Sequence, residues 1–105
     1  MPNYRAQVIR SARTEAIDEL LRVSQFEQQN FTRNNMFVAP AVNPYNTQNG
    51  RYQINTVIMA AGQAFTITAT PLAGQANDGC GTLGIDNVGR KTSTGGNAAD
   101  CWAGR

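Results

Sequence analysis

The residue types that carry most enzyme chemistry are scarce in this chain of 105 residues. Histidine is absent, so the commonest general base and the commonest metal ligand are missing. Lys91 is the only lysine, and a Schiff-base mechanism would depend on that single residue. The carboxylates of Glu15, Asp18 and Glu19 lie close together in the sequence, but no aromatic clamp or pocket-forming loop is nearby. We interpret them as a solvated helix face and expect neither catalysis nor a cofactor.

Oxygen ligands for calcium are present but scattered. Acidic residues and neighbouring asparagines in the last third of the chain do not have the spacing of a calcium-binding loop. These residues are Asp78, Asp86, Asp100, Asn77, Asn87 and Asn97. Since Asp and Asn favour turns, we interpret all six as turn formers and expect no metal site.

The two cysteines, Cys80 and Cys101, enclose a segment rich in glycine and asparagine. Neither has the paired spacing of a zinc site. Two buried free thiols are one interpretation. We favour a disulfide, because a segment this rich in glycine and asparagine suggests a loop that needs closing. Such a bond would contribute on the order of 3 kcal/mol by restricting the unfolded chain. A disulfide also implies an oxidising compartment.

A small basic group lies at the same end of the chain. Arg90, Lys91 and Arg105 flank the single tryptophan, Trp102, and together they could contact phosphates and stack on a base. The alternative is an ordinary solvated turn, which the formal net charge of only +2 favours. We therefore expect binding to short duplex DNA no tighter than about 10 μM at physiological salt.

The elements that must position these residues begin with a helix, predicted over residues 2–31. Apolar residues recur at spacings of three or four and form one stripe, which comprises Ile9, Ala12, Ala16, Leu20 and Val23. Ile17 and Leu21 lie on a second, offset stripe. A helix that is contacted from two directions would explain both stripes, so we assign Ile17 and Leu21 to contacts with neighbouring subunits.

A long loop, a sheet and a closing loop follow the helix. Residues 32–50 contain five asparagines and two prolines and predict a long ordered loop, with apolar anchors at Met36, Phe37, Val38, Val42 and Tyr45. Alternating patterns over residues 51–88 predict three strands, with Val88 as a candidate end of the third. The sequence thus predicts one α+β domain over residues 1–105. In it, one long N-terminal amphipathic helix packs on a small antiparallel sheet of three to four strands, and residues 80–101 form a disulfide-closed loop.

Several segments, taken in order, resemble a minor pilin of Gram-negative type IVa pili. The start Pro2-Asn3-Tyr4 and the stretch from Arg10 to Ala16 are similar to the amphipathic half of the pilin helix. Three further segments resemble the sheet and disulfide region of these pilins: Phe65 to Pro71, Cys80 to Leu83, and Asp100-Cys101-Trp102.

The resemblance implies a structural subunit that acts in pilus assembly initiation or at the pilus tip. Its partners would be other major and minor pilins, contacted through the helix and loops. The family's hydrophobic N-terminal segment is not in the sequence, and the resemblance implies that this segment holds the subunit in the inner membrane with the globular domain in the periplasm. After assembly the subunit would be extracellular. The alternatives are a competence pilin that binds extracellular DNA during uptake, and a pseudopilin of type II secretion.

Overall fold

A computed structural model of the protein describes residues 4–72, 75 and 78–103. The first helix, α1, covers Tyr4–Asn34. Five strands follow: β1 (Tyr45–Asn46), β2 (Tyr52–Met59), β3 (Ala64–Pro71), β4 (Leu83–Asp86) and β5 (Lys91–Ser93). A short helix, α2, covers Ala98–Trp102. None of the helices in these ranges is long and apolar enough to cross a membrane.

The helix α1 continues three residues beyond the predicted end. It stops where Asn35 adopts a positive φ of 60°, a conformation that asparagine tolerates better than most residues. The Asn35 amide then donates to the Phe31 carbonyl at 2.8 Å, which satisfies one of the last carbonyls of the helix.

The strands form one antiparallel sheet in the order β1-β2-β3-β4-β5. β2 and β3 are the longest pair, with Ile54 opposite Ala69 and Thr56 opposite Ile67. Alternation is clear in β3, where Phe65, Ile67 and Ala69 are buried and the threonines between them are not. This confirms the predicted fold of a helix on an antiparallel sheet, with two short edge strands in addition to the three strands predicted.

The turn between β2 and β3 depends on glycine. Gly62 has a φ of +91°, and a Cβ there would lie 2.9 Å from the Cβ of Met36. The Gly62 carbonyl accepts a hydrogen bond from the Phe37 amide, so the turn also holds the start of the long loop. A side chain at this position would separate two segments that the glycine allows to touch.

The core lies between α1 and one face of the sheet. Its helix side consists of Ala12, Ala16, Ile17, Leu20 and Val23, and its sheet side includes Tyr52, Ile54, Phe65, Ile67, Leu83 and Ile85. Phe37 connects the two sides, because its ring lies 4.7 Å from the Phe31 ring and 4.7 Å from the Phe65 ring. Of the five predicted loop anchors, Phe37 is buried and Tyr45 is partly buried, while the other three are exposed.

Two predictions need correction at this level. Ile17 belongs to the core, with 7% of its surface exposed, because the sheet covers a wider face of α1 than one stripe. It is therefore unavailable to a neighbouring subunit, whereas Leu21 is 43% exposed. Val88 does not extend the third strand, since β4 ends at Asp86 and Val88 is 74% exposed.

Candidate functional site

The C-terminal end of the molecule is closed by a disulfide between Cys80 and Cys101. Cys80 precedes β4, and Cys101 lies in α2. Both cysteines are buried, at 7% and 3% exposure. Close packing around the bond requires glycine, because a Cβ on Gly95 would lie 2.2 Å from the Gly79 carbonyl oxygen. The disulfide therefore fixes α2 and the glycine-rich segment before it against the start of β4.

A buried polar network lies directly beneath the disulfide. The Arg13 Nη1 donates to Asp78 Oδ1 at 2.7 Å and approaches the Cys80 sulfur at 3.1 Å. The Tyr52 hydroxyl donates to the other oxygen of Asp78 at 3.0 Å. Gln75 Nε2 donates to the Ile9 carbonyl at 2.8 Å. Helix, sheet and disulfide segment are thus joined through one buried ion pair.

Burial, with the nearby Asp78 charge adding to it, raises the pKa of Tyr52 to about 12. The hydroxyl therefore stays protonated at neutral pH and remains a hydrogen-bond donor to Asp78. The arrangement keeps the Asp78 carboxylate solvated by protein groups: the guanidinium, the phenol and the Cys80 amide, which donates at 3.1 Å. A buried charge is tolerated when its atoms have hydrogen-bond partners of this kind.

This network was not predicted from the sequence. Asp78 was interpreted only as a turn former, and Arg13 had no assigned contact. A signal for Arg13 existed, because it lies four residues after Ile9 and four before Ile17 and so shares the buried face of α1. A charged residue on that face needs a partner of opposite charge. The sequence does not identify the acidic partner of Arg13, because Asp78 is 65 positions away.

On the outer surface, the structure brings two of the predicted nucleic-acid contacts together. The Lys91 Nζ lies 5.6 Å from the centroid of the Trp102 ring, a cation–π distance. The Trp102 indole N–H donates to the Thr92 carbonyl at 3.0 Å, which fixes the ring beside β5. These two side chains and Ala98, Ala99 and Ala103 line a shallow groove. Arg90 is exposed next to Lys91, whereas Arg105 lies outside the described residues.

The loop between β4 and β5 presents Arg90 in a fixed backbone geometry. Asp86 Oδ1 accepts hydrogen bonds from the amides of Val88 at 3.0 Å and Arg90 at 2.8 Å. Gly89 provides the positive φ of 84° that the turn requires. Asp86 therefore has the turn role predicted for it. Because its carboxylate is directed at these amides, it helps hold the loop that carries Arg90 and leads to Lys91 at the start of β5.

The opposite edge of the sheet carries the long loop that follows α1. Tyr45 in β1 donates its hydroxyl to Glu19 on the helix, and Arg22 donates to both residues at 2.9 Å. The hydrogen bond from Arg22 is the main reason that the pKa of Glu19 is lowered. Burial is the main reason that the pKa of Tyr45 is raised to about 12. Beside this cluster, Phe26 is 43% exposed and lines a groove with Val23, Pro40 and Ala41.

Comparisons with known proteins agree on one family. The family model described as "Type IV minor pilin ComP, DNA uptake sequence receptor" matches residues 2–84. A solved type IV pilin from Shewanella oneidensis is 25% identical and superposes with a TM-score of 0.67, covering 86% of this chain and 96% of that one. A search of curated proteins found no significant match.

Proposed function

Because this chain belongs to the family of the type IV minor pilin ComP, the DNA uptake sequence receptor, we propose that it is a minor pilin that binds DNA during uptake. The sequence alone favoured a role in pilus assembly and ranked DNA binding second. The family match reverses that order. Both the family and the fold are those of a structural protein. Since the family is one of type IV pilins, we also prefer the assignment as a type IV pilin to that as a pseudopilin of type II secretion.

The observation that supports DNA binding most directly is the surface formed by Arg90, Lys91 and Trp102. Two cationic side chains attract phosphates, and an aromatic ring provides a stacking platform. Lys91 and Trp102 lie together over a shallow groove, and Arg90 is adjacent on a loop fixed by Asp86. Because the backbone is held before DNA arrives, little ordering cost opposes binding.

Few charges are involved, so the proposed affinity is modest and sensitive to salt. Each neutralised phosphate contributes about 0.9 to the slope of log affinity against log salt concentration for duplex DNA. One or two neutralised phosphates would therefore give a slope of about −1 to −2.

Fluorescence anisotropy with short duplex DNA at several salt concentrations tests the proposal. Arg90→Ala and Lys91→Ala should each weaken binding, and Lys91→Ala should also reduce the slope by about 1, the contribution of one phosphate contact. Arg10→Ala is the matched control, because Arg10 is an exposed arginine on α1 and also lowers the net charge by one. Equal loss in all three variants would indicate a response to net charge only. Absence of binding to any duplex at about 100 μM protein would exclude the proposed function.

A second candidate function, contact with other pilins during assembly, is supported by exposed apolar side chains on α1. Leu21 and Phe26 are each 43% exposed, on different flanks of the helix. As a type IV pilin, the protein would make such contacts after anchoring in the inner membrane, with its globular domain first in the periplasm and later outside the cell.

Substitutions on α1 separate the assembly role from folding. Leu21→Asp and Phe26→Asp should leave the melting temperature of the isolated domain nearly unchanged while reducing incorporation into pili in cells. Ile17→Asp is the contrasting variant, because burial of a charge in the core should unfold the domain. Normal pilus incorporation of both surface variants would exclude Leu21 and Phe26 as contacts.

A further inference from the structure

Val88 is the most exposed large apolar side chain among the residues that the structure describes, at 74%. It lies at the tip of the loop between β4 and β5, two residues before Arg90. Exposed apolar side chains often belong to mobile loops, where they can turn toward the protein. The backbone of the loop that carries Val88 is instead held by three sets of hydrogen bonds.

The first attachment is the Asp86 carboxylate, which accepts from the Val88 and Arg90 amides. The second is Asn87, whose amide donates to the Phe65 carbonyl at 3.2 Å, joining the loop to β3. The third comes from the helix, where Gln28 Nε2 donates to the Asn87 carbonyl at 3.2 Å. Val88 is therefore presented outward by a backbone that cannot easily fold it inward.

We propose that Val88 contacts the C5-methyl group of a thymine in the major groove, beside a base contacted by Arg90, and so contributes sequence preference to DNA binding. This inference rests on the proposed function. β4 and β5 are the last two strands of the five-stranded sheet, and the turn that joins them carries Val88. In this proposal the turn enters the major groove, which is wide enough to admit an α-helix or a two-stranded β-ribbon. In that groove an apolar side chain recognises the thymine methyl, and arginine recognises guanine.

The dimensions agree with contacts to neighbouring base pairs. Two residues of chain span at most about 7 Å, and successive base pairs lie about 3.4 Å apart. Val88 and Arg90 can therefore face adjacent or next-adjacent pairs. Lys91, the following residue, would remain free of base contacts and lie near a phosphate beside Trp102. Base recognition and phosphate contact are thus divided between Arg90 at the end of the loop and Lys91 at the start of β5.

The test uses the isolated domain and a pool of duplexes with 14 random base pairs, from which preferred duplexes are enriched over repeated rounds. Each thymine of the enriched duplex is then replaced in turn by deoxyuridine, which lacks only the C5-methyl group. At one position the replacement should weaken binding by about fourfold, the effect of burying one methyl group. Val88→Ala should bind the thymine duplex about fourfold more weakly and be indifferent to that replacement.

Val42→Ala is the matched control, since Val42 is a 69% exposed valine in the loop at the other edge of the sheet. It should behave as the wild type toward both duplexes. If Val88→Ala loses as much as the wild type on replacement, or no position responds, the inference about Val88 is wrong while DNA binding stands. If no duplex is enriched or bound, the proposed function and this inference both fail.

Discussion

Two segments on either side of the central β2–β3 pair are attached to the same helix by different means. The loop of residues 35–51 is held at one edge of the sheet, and the disulfide segment of residues 78–103 is held at the other. Each meets one of the two buried charged side chains of α1, Glu27 in the first case and Arg13 in the second. These residues are 14 positions apart, about four helical turns, so they lie on nearly the same face.

The electrostatic environments of the two buried charges differ. Arg13 is paired with the carboxylate of Asp78 at 2.7 Å and lies beside a covalent bond. Glu27 is fully buried, and its Oε1 accepts the Val38 amide at 2.9 Å, a neutral donor. Burial raises the pKa of Glu27 accordingly. The disulfide segment, which carries the proposed DNA surface, is therefore held by charge pairing and a covalent bond. The other loop is held by hydrogen bonds and by the packing of Phe37 between Phe31 and Phe65.

The largest expected effect comes from breaking the ion pair. Arg13→Met leaves Asp78 buried without its counter-charge, which should reduce the free energy of unfolding by about 3–5 kcal/mol. Arg10→Met is the control, because this exposed arginine lies one turn away on the same helix and should change stability by about 0.5 kcal/mol or less. Urea denaturation measures both. Similar small losses in the two variants would contradict a dominant role for the buried pair.

Removal of the disulfide is expected to rank next. Cys101→Ser should cost about 2–5 kcal/mol of unfolding free energy, the range for small secreted domains. The wild type in reductant should then unfold at the same denaturant concentration as the variant without it. Reductant itself should leave the variant unchanged, which serves as the control. A reduced wild type as stable as the oxidised form would mean that noncovalent contacts alone hold the segment.

The other loop should respond more weakly. Tyr45→Phe removes the hydroxyl that joins β1 to Glu19 and Arg22 on a partly exposed surface, with an expected loss of about 0.5–1.5 kcal/mol. Thermal denaturation of this variant, of Glu19→Gln and of the double variant gives the coupling between the two residues. Strict additivity of the two losses would show that the hydrogen bond contributes nothing to stability.

The smallest effect concerns the charge of Glu27. A folded-state pKa above the ordinary value means that the folded protein binds the proton more tightly than the unfolded chain. The associated stability is therefore full below the unfolded pKa of about 4.3 and is lost as the pH rises through the folded pKa. Glu27→Gln keeps an oxygen for the Val38 amide and removes this dependence.

Unfolding free energies measured from pH 4 to pH 8 test this sign. The wild type should lose stability relative to Glu27→Gln as the pH rises. Both proteins contain the other carboxylates, so the contributions of these groups cancel in the difference. They include Glu19, whose lowered pKa acts in the opposite direction. A stability difference that stays constant over this range, or one that reverses, would place the folded pKa at or below the ordinary value.

The sequence predicted the regular part of the fold because its signals are local. Apolar residues at spacings of three and four indicated the helix face that contains Ala12, Ala16 and Leu20. Alternation indicated the buried faces of β2 and β3, and the two cysteines indicated a closed loop. Each depends only on the period of a helix or strand, or on a segment that lacks a core of its own.

Only the tertiary structure decided which side chains meet across long separations. The partner of Arg13 is 65 positions away, and Gln75 contacts a carbonyl 66 positions away. Ile17 is buried because the sheet covers a broad face of the helix, and Val88 is exposed at the tip of a loop that hydrogen bonds hold to β3 and α1. Local periodicity records which face of an element is apolar. It does not record which residue of another element faces a buried charge, because that depends on how the elements pack.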